Sequence, residues 1–98
     1  MITWYQNLAL HQNYPNPFNP TTEIKYQVQL NIKVSIVIYN LKGERVRTLF
    51  DGYKSVGEHN IKWNGKNDLG GYVAAGQYFY QLKVGDFIAT KKCYFLND

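Results

Sequence analysis

The sequence predicts an all-β domain, an antiparallel sandwich of about seven short strands. Three observations carry this. Apolar and polar residues alternate in run after run, and no window sustains a 3.6-residue helical stripe. Clusters of glycine, asparagine and aspartate interrupt those runs every eight to twelve residues or so, the spacing of a sandwich. Nine tyrosines stand against one methionine, in a chain that is 45% hydrophobic and 16% aromatic. Such a composition suits a pleated, half-buried surface better than helix packing. Ninety-eight residues make one domain with a modest core.

The chain enters this domain through Asn13-Tyr14-Pro15-Asn16-Pro17-Phe18-Asn19-Pro20, which holds all three prolines. Proline fixes φ near about −65°, lacks an amide hydrogen and pushes its predecessor toward extended geometry. The asparagines between the prolines can hold tight turns. The segment therefore reads as a stiff, extended lead-in, with Tyr14 and Phe18 expected to fold back onto the sandwich as anchors. Residues 1–12 precede it as an N-terminal lead-in, and residues 13–98 form the sandwich.

The first strand is expected over residues 23–30, with Ile24, Tyr26 and Val28 on one face. Residues 33–39 follow, with Val34, Ile36 and Ile38 inward. Asn40-Leu41-Lys42-Gly43 is a turn opened by asparagine and closed by glycine. Residues 45–50 return with Val46 inward, and Asp51-Gly52 is expected to end that strand. Residues 58–63 carry Ile61 and Trp63, the latter expected as a core anchor. Residues 64–71 hold three glycines and three Asn/Asp side chains, which reads as a loop. The longest strand is expected over residues 77–84, with Tyr78, Tyr80 and Leu82 on one face and Phe79 on the other. Gly85-Asp86 signals a hairpin into a last strand over residues 87–96. Isolated hairpins are unstable in water, so the strands must pack as two facing sheets.

No catalytic set emerges. His11 and His59 lie far apart, and neither has a second ligand at metal spacing. The seven carboxylates are scattered, and no glycine-rich phosphate loop opens a helix. Asn64, Asn67 and Asp68 supply too little charge for a calcium loop of the EF-hand type. No cofactor or metal site is expected, and the chain reads as a non-enzyme. The eleven Lys/Arg give a formal charge of +4 but are spread along the chain, which argues against nucleic-acid binding. The single cysteine, Cys93, excludes an internal disulfide and reads as a buried apolar thiol. No apolar run is long enough to cross a bilayer, and the opening residues lack the pattern of a signal peptide.

From about Leu10 to Leu96 the chain resembles the type A C-terminal sorting domain of the type IX secretion system. It is also similar to the related immunoglobulin-like domain of flagellar hook-capping proteins. The resemblance rests on residues 12–26, on Val34-Ser35-Ile36-Val37-Ile38-Tyr39-Asn40-Leu41-Lys42-Gly43, and on Gly57-Glu58-His59-Asn60-Ile61-Lys62-Trp63-Asn64-Gly65. It continues through Ala75-Gly76-Gln77-Tyr78-Phe79-Tyr80 and closes on Thr90-Lys91-Lys92. Cys93 stands where that family commonly has methionine. The resemblance implies an antiparallel immunoglobulin-like β-sandwich. It also implies a module that directs an N-terminally fused cargo through the periplasm and outer membrane to the cell surface or medium. The partners implied are an outer-membrane translocon and a sortase. The positions implied in recognition are Asn13, Pro15, Asn16 and Pro17 in the lead-in, Gly76 and Tyr78, and the pair Lys91-Lys92. On physical grounds Lys91-Lys92 reads equally as solvated charge on an edge strand. Two alternatives stand beside sorting: a structural assembly domain of the hook-capping type, and an accessory carbohydrate-binding module, which outward aromatic rings on a sheet face would favour.

Overall fold

The computed structural model describes residues 9–96. Among these residues lie seven strands and no helix: β1 (Ala9–Leu10), β2 (Thr22–Val28), β3 (Ile32–Tyr39), β4 (Arg45–Lys54), β5 (Gly57–Trp63), β6 (Gly76–Val84) and β7 (Phe87–Phe95). They form a three-stranded sheet in the order β1-β2-β5 and a four-stranded sheet in the order β4-β3-β6-β7. Every strand pairing is antiparallel. This is the immunoglobulin-like sandwich expected, and β1, which falls in the stretch expected as lead-in, adds to the strands read from the sequence.

Alternation selects the inner faces. Ile24, Tyr26 and Val28 of β2, Val34, Ile36 and Ile38 of β3, and Tyr78, Tyr80, Leu82 and Val84 of β6 all point inward and are buried. The core falls into two neighbouring clusters. One gathers around Trp63, Phe18, Phe95 and Tyr80, the other around Tyr26, Ile36 and Leu82, and Leu10, Leu49 and Ile61 touch both. Trp63 is 1% exposed and anchors the first cluster. Its indole N–H is satisfied by the Lys66 carbonyl at 2.9 Å, in the loop after β5.

Several local expectations are corrected. Asp51-Gly52 does not end β4, which runs through to Lys54 and at ten residues is longer than β6. Gly52 keeps its ladder place opposite Val34, and a Cβ there would lie 3.3 Å from the Phe50 ring. The β3–β4 register shifts twice, between Ile36 and Val37 and between Ile38 and Tyr39. Each bulge inserts one extra β4 residue, and together they turn Val46 and Leu49 toward the core although the two are three positions apart. Tyr14 is not an anchor: its ring is 82% exposed, whereas Phe18 is 1% exposed.

Candidate functional site

The proline segment is a clasp between the two sheets. On the small-sheet side, the His11 N–H donates to the Lys25 carbonyl at 2.9 Å, and Tyr14 exchanges two backbone hydrogen bonds with Glu23. On the large-sheet side, the Phe18 N–H donates to the Tyr94 carbonyl at 2.9 Å, and the Phe18 carbonyl accepts from the Leu96 N–H at 2.8 Å. Those two bonds make a parallel bridge between Phe18 and Phe95, at the end of β7. The Asn16 carboxamide oxygen accepts the Tyr94 N–H at 3.0 Å. With proline on either side of Asn16, few backbone donors remain in this stretch, so a side chain takes their place.

Asn13 holds the clasp in shape and is 2% exposed. Its amide nitrogen donates to Thr22 Oγ1 at 2.9 Å and to the Pro15 carbonyl at 3.2 Å. Its Oδ1 accepts from Gln12 Nε2 at 2.6 Å, and its backbone N–H donates to the Tyr80 hydroxyl at 2.8 Å. The same Tyr80 hydroxyl donates to the His11 carbonyl at 2.6 Å. Buried polar groups are tolerated when satisfied in this way. Below this knot the Phe18 ring seals the core, with its centroid 5.4 Å from Trp63 and 5.2 Å from Phe95. Gly65 passes so close that a Cβ there would meet the Phe95 ring at 2.6 Å, and its φ is +74°.

The other predicted positions gather at the same end. Gly76 pairs with Phe95 and Tyr78 with Cys93 in the β6–β7 ladder. Gly76 has φ +143° with nothing near its Cα side, so backbone conformation and not crowding calls for glycine. Tyr78 is buried, edge-on to Trp63, and its hydroxyl donates to the Ala74 carbonyl at 2.6 Å. Burial raises the pKa of Tyr78 and of Tyr80, and pushes the Cys93 thiol up to about 12. These groups are core members, not reactive ones.

Lys91 and Lys92 are not an equivalent pair. Adjacent strand residues face opposite ways, so Lys91 lies half-buried on the face of Cys93 while Lys92 is exposed on the outer face opposite Phe79. The Lys92 carbonyl accepts from Gln12 Nε2 at 2.7 Å, which ties the lysine strand directly to the clasp. Hydrogen bonds from Tyr94 to the clasp show which backbone groups of β7 point away from β6. By alternation, those of Ile88, Thr90 and Lys92 point the same way. Among the described residues none bonds the outward N–H and C=O of Ile88 or Thr90. Asn13, Pro15, Asn16, Pro17, Gly76, Tyr78 and Lys92 thus converge on one end of β7, beside a short stretch of open strand edge. Sequence reading missed Gln12, Thr22 and Tyr80, which hold the clasp. A polar residue opening β2 on its apolar face, Thr22, was the available signal.

Among the described residues no three His, Cys, Asp or Glu side chains gather as a metal site, and no helix is long and apolar enough to cross a membrane. The arrangement offers hydrogen-bonding edge and shaped surface. Fold and clasp together define an immunoglobulin-like sandwich closed along one side by its own N-terminal segment. The chain belongs to the FlgD Ig-like domain family, whose model matches residues 15–86.

Two solved structures share the fold. Dimeric latent PorU from Porphyromonas gingivalis is 19% identical with a TM-score of 0.72, over 93% of this chain and 9% of that one. PorZ of the same organism, described as an essential bacterial surface component of the type-IX secretion system, is 20% identical with a TM-score of 0.55, over 95% of this chain and 12% of that one. This chain thus corresponds to about a tenth of either protein. No curated protein matches the sequence.

Proposed function

We propose that this domain sorts and anchors a secreted cargo fused to its N-terminal side. It is read by an outer-membrane translocon and sortase of type IX secretion, and it acts as a recognition module and not as an enzyme. The observation that carries the reading is the convergence of the proline clasp and the lysine strand at one end of β7. A receptor there meets Asn16, Pro17 and Lys92 on one surface, with open backbone groups at Ile88 and Thr90 for strand addition. The fold shared with parts of PorU and PorZ supports the same reading. The cargo would pass through the periplasm and outer membrane to the cell surface or medium.

Membership of the FlgD Ig-like family favours a second reading, a structural domain that assembles through its sheet edges. One experiment separates the two. The domain is fused behind a signal peptide and a reporter in a host with type IX secretion. Sorting predicts reporter at the surface or in the medium. It also predicts that Lys92→Ala reduces export without unfolding, since exposed charge contributes little stability. Periplasmic retention of the unmutated fusion, with self-association of the purified domain, would support assembly instead.

A further inference from the structure

The outer face of the four-stranded sheet takes no part in the clasp, and it carries rings as well as polar groups. Register sets Tyr39 of β3 beside Phe79 of β6, and Phe79 beside Lys92 of β7. The next row is Val37, Gln81 and Thr90. The turn after β3 stands at the end of this face, with Leu41 65% exposed. Together Tyr39, Asn40, Leu41, Phe79, Gln81 and Thr90 line a hollow of about 360 Å³. It shares Asn40 and Leu41 with a second hollow of about 300 Å³ that reaches Gln77. Both volumes fall in the range of small-molecule sites.

Three features fix the class of ligand. Tyr39 and Phe79 are half-buried rings on neighbouring strands, yet among the described residues neither stacks on another ring. Gln81 Nε2 donates to Thr90 Oγ1 at 3.2 Å, which leaves the second amide hydrogen, the amide oxygen and the threonine hydroxyl proton for a partner. Lys42 lines the second hollow, Lys92 stands beside Phe79 in the β6–β7 ladder, and among the described residues neither belongs to the ion pairs Lys33–Asp51 and Arg45–Asp68. Glu44, the carboxylate lining the second hollow, is engaged by Asn40 Nδ2 at 2.9 Å.

We infer that this face binds an acidic oligosaccharide. The C–H face of a pyranose ring packs against an aromatic ring, its hydroxyls pair with amide and hydroxyl groups, and a sugar carboxylate complements the free ammoniums. An apolar peptide would leave Gln81 and Thr90 facing it unpaired, a cost that a sugar avoids.

The test uses the whole domain on an array carrying hexamers of galacturonic acid, mannuronic acid and hyaluronan beside cellohexaose and mannohexaose. At least one acidic hexamer should be retained, more weakly as salt is raised. Tyr39→Ala/Phe79→Ala should weaken that binding by about tenfold or more. Gln81→Met, which keeps the bulk and removes the amide, should weaken it severalfold with unchanged melting. Tyr53→Ser, which removes an exposed ring at the far end of the sheet, should bind as the parent does. Retention of no acidic hexamer, retention of neutral hexamers alone, or equal binding by the folded Gln81→Met and double variants would overturn the assignment.

Discussion

Replacing Phe18 with alanine removes the seal over one end of the sandwich. The ring is 1% exposed and lies against Trp63 and Phe95. Truncating a fully buried phenylalanine costs about 3–5 kcal/mol, transfer and cavity terms together. The upper part of that range applies if the clasp also loosens, because the Phe18 backbone holds Tyr94 and Leu96. Small domains are stable by about 5–15 kcal/mol, so the variant should fold but melt roughly 15–25 °C lower. Urea unfolding followed by circular dichroism measures the loss, and an unchanged m-value confirms that the same surface unfolds. Tyr14→Ala is the internal control. Its exposed ring should change stability by no more than about 0.5 kcal/mol. A loss below about 1 kcal/mol for Phe18→Ala, or equal losses for the two variants, would refute the clasp as a seal.

Tyr26→Phe should stabilise the domain by about 1 kcal/mol, because the buried Tyr26 hydroxyl has no hydrogen-bond partner among the described residues; chemical denaturation would read this directly. Gly65→Ala should cost roughly 2–4 kcal/mol, since a Cβ would collide with the buried Phe95 ring and the backbone there is left-handed, and a melting curve checks it. The Cys93 thiol is raised by burial from 9.0 to about 12, so its neutral form is favoured by folding. That contribution is full below pH 9, fades as pH rises from 9 to about 12, and shares its direction with the buried Tyr78 and Tyr80. A pH series of unfolding curves should show this loss, and a thiol reagent should label Cys93 only on unfolding.

The sandwich was legible because its strands alternate cleanly. Ile24-Lys25-Tyr26-Gln27-Val28 and Tyr78-Phe79-Tyr80-Gln81-Leu82 allow only one inward face. The bulged β4 was less so, since Val46 and Leu49 break the period of two and only a register shift brings both inward. The clasp resisted reading for a different reason. Its backbone pairs with two sheets in turn, so alternation says nothing about whether Tyr14 or Phe18 is the buried ring, or that the polar Asn13 is buried too. The opposite facing of Lys91 and Lys92 was available from strand geometry alone, and the functional resemblance obscured it. The convergence of residues 13–17 with β7 depends on tertiary contacts such as Asn16 to Tyr94, which no local pattern encodes.

The central claim is that recognition occurs at the open stretch of β7 beside the clasp. A photo-crosslinking residue placed at Ile88, and separately at Asn60 on the opposite edge strand β5, tests it in a secreting host. Capture of an outer-membrane translocon component from position 88 and not from position 60 is the predicted result. Capture from position 60 alone, or from neither while export proceeds, would contradict it.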